Sequence, residues 1–215
     1  MNFRYQACLF VPALIVVYGL SQTPAQAQFA QQGPKLIGTG AIGDAAQGWS
    51  ASLSYDGNTA IVGGIGDSGI GAAWVYTRSG GVWSQQAKLV GTGNGAFSAQ
   101  GVSASLSGDG NTALVGGSDD SDLMGAAWVF TRSRAGVWSQ QGPKLVGTGA
   151  IGTYIEQGSS VSLSADGNTA IVGGRGDDFL GGAEPYVVGV GAAWVFTRSD
   201  GVWTQQGSNT HLING

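Results

Sequence analysis

The sequence predicts an all-β fold in which three consecutive units each form a four-stranded antiparallel blade of a β-propeller. Composition is the first observation, because the 215-residue chain has 40 glycines, only five prolines and no collagen-like period. Internal repetition is the second, because Gly-Ala-Ala-Trp-Val occurs three times and is followed each time by Thr-Arg-Ser and then Val-Trp. The three copies of Gly-Ala-Ala-Trp-Val occupy residues 71–75, 125–129 and 191–195.

The first strand of each unit is predicted from alternation. In residues 49–54, serines alternate with apolar residues such as Ala51 and Leu53. A period of two is typical of a strand that has one apolar face and one small, polar face. The equivalent segments are residues 102–107 and 160–164.

The second strand of each unit follows an Asp-Gly-Asn turn, whose residues tolerate the positive φ angles of hairpins. The run Thr-Ala-Ile-Val then predicts a short strand, and a glycine pair ends it. The nine-residue segment from the aspartate to the second glycine occupies residues 56–64, 109–117 and 166–174.

Residues 72–77 predict the third strand, and a glycine-containing turn joins it to a fourth strand from Val82 to about Val90. Four strands per unit of about fifty residues, repeated in tandem, indicate a β-propeller. A β-helix would repeat on a shorter period, and a sandwich would not repeat. The third unit carries about ten extra residues between Gly174 and Gly191.

The first 27 residues predict a secretory signal peptide, because Arg4 precedes an apolar run at residues 7–20 and a small-x-small site ends at Ala27. The apolar run is shorter than the roughly 20 residues of a spanning helix. Cleavage would leave residues 28–207 as blades that are secreted, periplasmic or on the cell surface, without membrane insertion. It would also remove Cys8, the only cysteine. Residues 208–215 are predicted to form an irregular tail.

The repeated unit resembles the FG-GAP repeat, the blade of the integrin α-subunit propeller and of many secreted bacterial proteins. In the third unit, residues 158–164 match the start of that repeat, Asp166-Gly167-Asn168 its turn, and residues 170–174 its second strand. The resemblance covers roughly residues 31–206. It implies a propeller of FG-GAP blades, and glutamine stands where the family has the phenylalanine of its Phe-Gly.

Integrin-type blades often carry an aspartate-rich calcium loop between their first two strands. Here the loop has one aspartate, such as Asp56, whereas calcium takes six to eight oxygen ligands. The family's calcium site is therefore not carried over, and we predict no metal site and no cofactor.

Blade number leaves two interpretations open. A propeller closes with about four to eight blades, whereas this chain has three. A truncated member of a longer family is favoured, because an open stack leaves exposed sheet faces and edges. Alternatively, copies of the chain form a homo-oligomer that closes a ring.

The net charge of −4 and the absence of a basic patch argue against nucleic acid as a partner. The single histidine after the signal, His211, lies outside the repeats, and no nucleophile elbow, zinc spacing or phosphate loop is present. The sequence therefore predicts that the chain is not an enzyme.

Candidate ligand-binding residues lie in the loops that follow the glycine pairs, where Asp67, Asp120 and Asp177 could converge on one rim. The alternative is a solvated turn in which each carboxylate bonds its own backbone. Six tryptophans occupy repeat positions, which favours packing between blades, whereas Trp49 has no counterpart and is the better candidate for an exposed ring.

The function predicted from these observations is that of a non-catalytic secreted propeller that acts as an interaction or adhesion module. Its partner would be a protein or glycan ligand held by the variable loops that follow the glycine pairs, residues 64–71, 117–125 and 174–191. The alternative is a carbohydrate-binding, lectin-like propeller that uses exposed tryptophans.

Overall fold

A computed structural model describes residues 30–178 and 190–207. The predicted signal peptide, the irregular tail and most of the long loop of the third unit lie outside the described residues. The chain divides into two units, Met1–Gln32 and Gly33–Gly215, and the second contains all of the described strands. No helix among the described residues is long and apolar enough to cross a membrane.

Twelve strands form three sheets of four, and consecutive strands pair antiparallel within each sheet. The prediction of four-stranded antiparallel propeller blades is therefore confirmed. Blade 1 contains β1 (Gln47–Leu53), β2 (Thr59–Gly64), β3 (Ala72–Ser79) and β4 (Val82–Leu89). Blade 2 contains β5 (Ser103–Leu106), β6 (Thr112–Gly117), β7 (Ala126–Arg132) and β8 (Trp138–Gln140), and blade 3 contains β9 (Gln157–Leu163), β10 (Thr169–Gly174), β11 (Ala192–Ser199) and β12 (Val202–Gln206).

Helical structure among the described residues is confined to two short turns between second and third strands, η1 (Asp67–Gly69) and α1 (Asp120–Leu123). The fourth strand differs between blades. β4 is continuous, whereas β8 is followed by Gly142 and Pro143 and the chain rejoins the sheet as an isolated bridge between Leu145 and Ala127. Proline has no N–H to donate to the ladder, which explains the interruption.

The Asp-Gly-Asn turns adopt the conformation that the sequence predicts. Gly57 has a φ of 66°, in the left-handed region. Asp56 accepts hydrogen bonds from the Ser54 hydroxyl (2.6 Å) and the Asn58 backbone N–H (2.9 Å). This Asx-turn arrangement, in which a carboxylate bonds the backbone two residues on, recurs in the second and third blades.

The hydrophobic core lies between the blades. We call the face of a blade that contacts the following blade its trailing face, and the face that contacts the preceding blade its leading face. Ile61 and Val75 of the blade 1 trailing face join one buried cluster with Leu106 and Trp128 of the blade 2 leading face. A second cluster joins blades 2 and 3 in the same way. Each large buried side chain stabilises the stack by roughly 1.5–3 kcal/mol.

Glycine is required where adjacent blades approach most closely. A Cβ at Gly63 would lie 2.0 Å from the Gly101 carbonyl oxygen of the next blade, and one at Gly116 would lie 2.1 Å from that of Gly158. A serine stabilises the same close contact between blades, because the Ser50 hydroxyl donates to the Gly101 carbonyl at 2.8 Å. The small residues of the repeat therefore allow the backbones of adjacent blades to touch.

Candidate functional site

Three loops that lead into the first strand of each blade share one architecture. We call residues 38–47, 91–100 and 147–157 the rim loops. In the first, the Gly38 N–H donates to Gln47 Oε1 at 2.6 Å and Gln47 Nε2 donates to the Gly38 carbonyl at 2.9 Å. The same two bonds close the other rim loops, between Gln100 and Gly91 and between Gln157 and Gly147.

The predicted site residues Asp67, Asp120 and Asp177 hold these loops in place. Their side chains are buried, with at most 5% of the surface exposed. Each accepts a hydrogen bond from a backbone N–H of a rim loop, and the donors are Ile42 (2.7 Å), Gly95 (2.7 Å) and Ile151 (2.8 Å).

Two of the three aspartates also form ion pairs. Lys88 Nζ lies 2.6 Å from Asp67 Oδ2, and Lys144 contacts Asp120. No lysine contacts Asp177 within the described ranges. The three carboxylates thus do not converge on an open rim; each sits inside its own blade. Ligand binding by these aspartates stays a prediction, and a ligand would have to displace bonds that hold the loops.

Arg175-Gly176-Asp177 spells a tripeptide that integrins recognise, but its aspartate is buried and its exposed arginine is paired. The Asp177 carboxylate is buried against Ile151, and the Arg175 guanidinium forms an ion pair with Glu156. The tripeptide is part of the repeat structure at this position.

Within the shared hydrogen bonding of the rim loops, one exposed position carries an aromatic side chain in two of the three blades. It lies three residues before the glutamine that closes the loop, and it is Asp44, Phe97 and Tyr154 in turn. The Phe97 side chain is 74% exposed and that of Tyr154 is 49% exposed. Sequence reasoning missed both aromatic residues, although aligning the three loops on their Gln-Gly pair reveals the variable position.

The backbone at Phe97 is unusual for a large side chain. Its φ is 56°, in the left-handed region that bulky residues rarely adopt. Such a conformation costs about 1–3 kcal/mol and persists only where the surroundings impose it. Here the neighbouring Ser98 is buried and donates to the Ile70 carbonyl. The loop therefore holds the Phe97 ring out in solvent.

The tryptophans divide as the sequence predicts. Those of the Ala-Ala-Trp-Val segments are at most 6% exposed, and each donates its Nε1–H to a rim-loop threonine carbonyl; Trp74 donates to Thr39 at 3.0 Å. Those of the Val-Trp pairs are half-buried beneath an arginine, as Trp83 is beneath Arg78. Trp49 is 58% exposed.

Blade 3 carries an open cavity of about 370 Å³ on its trailing face. Small residues line most of it, and Arg175 is the one charged side chain among the lining residues that the structure describes. No group of three histidine, cysteine or acidic side chains that could hold a metal occurs in the part of the chain that the structure describes. The lining residues are Ser159, Ser160, Gly173, Gly174, Arg175, Gly191 and Ala192.

We expect the chain to lose stability as the pH falls from about 4 towards 2. The Ser54 hydroxyl and the Asn58 amides lower the pKa of Asp56 from its ordinary 3.8 to about 2. Equivalent bonds, first from Ser164, lower the pKa of Asp166. Because the folded pKa lies below the unfolded value, these carboxylates stabilise the fold above pH 3.8, and the contribution disappears as the pH falls through the folded pKa.

Urea midpoints measured between pH 5 and pH 2.5 check this prediction. Asp56→Asn is the matched variant, because it cannot titrate and should flatten part of the decline. A wild-type midpoint that does not change over this range would contradict it.

No family model matches the chain, and no curated protein matches it, so membership of the FG-GAP family stays a prediction. The chain is similar in structure to larger solved proteins, and it spans about a third of their length. One is a Bacteroides fragilis structure named for 6-phosphogluconolactonase, with 14% identity over 72% of this chain and 36% of that one and a TM-score of 0.44.

A second similar structure is the periplasmic gluconolactonase of Pseudomonas aeruginosa, with 18% identity over 69% of this chain and 38% of that one and a TM-score of 0.43. A third is TolB of Acinetobacter baumannii, with 13% identity over 73% of this chain and 31% of that one and a TM-score of 0.36.

These structures correct the prediction that the chain is not an enzyme, because two of the three carry the names of enzymes. The prediction rested on the absence of catalytic sequence motifs. Catalytic groups supplied by separate strands or loops leave no such motif, since their spacing in space is invisible in a sequence. The proposed function is therefore not restricted to non-catalytic roles.

Proposed function

We propose that the chain is an extracytoplasmic, FG-GAP-like propeller that acts as an interaction or adhesion module and binds a protein partner through its rim loops. Phe97 and Tyr154 would be the apolar anchors of the contact. The observation that carries this proposal is the pair of exposed aromatic side chains at one position of two loops whose glutamine and aspartate contacts repeat in all three blades. Aromatic residues are enriched in protein interfaces and among the residues that dominate binding energy.

The construction of the rim loops supports the proposal. Each is closed by a glutamine and anchored by a buried aspartate, so the exposed side chain stands on a rigid support. Rigid presentation lowers the entropy lost on binding. Binding residues are commonly carried on loops that a stable scaffold positions, and such loops tolerate change at their exposed tips. The predicted signal peptide supports an extracytoplasmic setting.

Peptides selected from a randomised library on the wild-type chain provide the test. We expect their Kd for Phe97→Ser to be at least tenfold higher than for wild type, because about 2 kcal/mol or more depends on such an anchor. Val137→Ser is the control, since Val137 is 63% exposed but lies away from the rim loops, at the start of β8. Equal affinity for all three proteins would refute the proposed surface.

Carbohydrate binding is the second candidate, and the exposed Trp49 ring favours it. Indole rings stack on the apolar faces of sugars, and the six other tryptophans are too buried to do so fully. A glycan array with wild type and Trp49→Ala separates the candidates. Glycans that bind wild type but not Trp49→Ala would support carbohydrate binding, and an array on which wild type binds no glycan would contradict it.

A further inference from the structure

Among the described residues, no blade covers the two outer faces of the three-blade stack, which are copies of faces buried inside it. On the trailing side, Ile171 of blade 3 is 42% exposed, whereas the equivalent Ile61 and Leu114 are fully buried. On the leading side, Leu53 of blade 1 is 60% exposed, whereas the equivalent Leu106 is 6% exposed. Every copy of the chain therefore presents both halves of the interface that joins its own blades.

The cavity on blade 3 is a socket that is filled in the other two blades. In blade 1 the equivalent position receives Gln100 and Gly101 of blade 2. The Gln100 N–H donates to the Ile70 carbonyl at 2.8 Å, and the Gly101 carbonyl accepts from Ser50. In blade 2 the equivalent position receives Gln157 and Gly158, with the Gly158 carbonyl 2.7 Å from the Ser103 hydroxyl.

The group that would fill the third socket lies at the opposite end of the same stack. Gln47 and Gly48 are the blade 1 equivalents of Gln100 and Gly101. Gly48 has a φ of 98°, close to the 90° of Gly101. No atom of the described residues lies within 4 Å of a Cβ built on Gly48, whereas one built on Gly101 meets the preceding blade at 2.3 Å. Gln47 and Gly48 are thus preformed in the bound shape.

Consecutive blades are also joined by a repeated hydrogen bond between a tryptophan and a glutamine. The second glutamine of each Gln-Gln pair accepts a hydrogen bond from the half-buried tryptophan of the next blade. Trp138 Nε1 donates to Gln86 at 2.9 Å, and Trp203 Nε1 donates to Gln141 at 3.0 Å. Gln206 is the last glutamine of this series, and Gln32 of the first Gln-Gln pair holds the equivalent sequence position before Trp83 of blade 1.

We propose that a second copy of this chain docks head-to-tail, with its Gln47 and Gly48 in the blade 3 cavity and its blade 1 leading face on Ile171. Two copies supply six blades, which lies within the range at which propellers close. Because the contact joins two different surfaces, a ring forms when the second contact also closes.

Sedimentation analysis of the full secreted chain and of two variants tests the proposal. Gly173→Ala adds a methyl group to the socket. Among the described residues of its own chain, the close neighbour of this methyl group is the Ser160 hydroxyl, which can rotate. At the equivalent Gly63 the space is already taken by Gly101 of the next blade. Leu53→Lys places a charge on the leading face. We expect wild type at twice the mass of one chain, and each variant to dimerise at least 100-fold more weakly.

An equimolar mixture of the two variants gives the decisive result. Each retains the face that the other has lost, so one head-to-tail contact is intact and a heterodimer should form although neither variant dimerises alone. Val137→Lys is the control, because Val137 stays 63% exposed in a blade that is covered on both faces. A monomeric wild type, variants that dimerise like wild type, or a mixture that stays monomeric would each overturn the proposal.

Discussion

Replacing Asp120 by alanine is expected to lower the free energy of unfolding by about 3 kcal/mol, the typical loss when a buried ion pair loses one partner. The Asp120 side chain is fully buried, accepts the Gly95 N–H at 2.7 Å and contacts Lys144. Alanine would leave a backbone donor and a mostly buried ammonium group without their acceptor. For a chain of this size the loss corresponds to a melting temperature lower by roughly 6–12 °C.

The matched variant is Asp177→Ala, because Asp177 accepts the equivalent backbone bond but contacts no lysine among the described residues. We expect a smaller loss of about 1–2 kcal/mol, as for one unsatisfied buried donor. Denaturation by urea measures both. If Asp120→Ala unfolds at the wild-type urea concentration, the carboxylate does not anchor its rim loop, and its role as a ligand-binding residue becomes the better explanation.

Replacing Trp128 by alanine is expected to cost about 3–5 kcal/mol, the range for large aromatic side chains in protein cores. Trp128 is fully buried between blades 1 and 2 and donates its Nε1–H to the Thr92 carbonyl at 2.9 Å. Gly91 lies against the ring, where a Cβ would be 2.2 Å from Cδ1, and it has no side chain with which to fill the cavity. The lost stability has three sources: the apolar surface that is no longer buried, the cavity left behind, and the lost hydrogen bond to Thr92.

Trp138→Ala is the control for Trp128, because it removes the same side chain from a half-buried position over which Arg132 packs. We expect its cost to be less than half as large. Urea unfolding followed by circular dichroism measures both variants without depending on tryptophan fluorescence. Equal losses would mean that burial between blades is not what makes the repeated tryptophans stabilising.

The strands and turns were predictable because they depend on neighbours in sequence. Asp56 bonds residues two positions away, so the Asp-Gly-Asn segment alone indicates its turn. The role of Asp120 was not predictable in this way. Its partners are Gly95, 25 residues earlier, and Lys144, 24 residues later, and a sequence does not show which backbone a loop aspartate will meet.

The candidate binding surface was only partly predictable. Sequence comparison of the repeats singled out Trp49, which is exposed, but also three loop aspartates, which are buried. Phe97 was overlooked, because only loop aspartates and tryptophans were compared between the repeats. Its exposure accompanies a positive φ beside the buried Ser98, and a sequence does not show such a backbone angle at a non-glycine residue.

By itself, the sequence determined the blade: four strands, their order and the residues that turn between them, because alternation and turn chemistry act over a few residues. Only the tertiary structure decided which faces are covered. Leu53 and Leu106 occupy the same repeat position, yet one is exposed and the other buried. Burial depends on whether a neighbouring blade is present, and that is a property of the stack and not of the repeat.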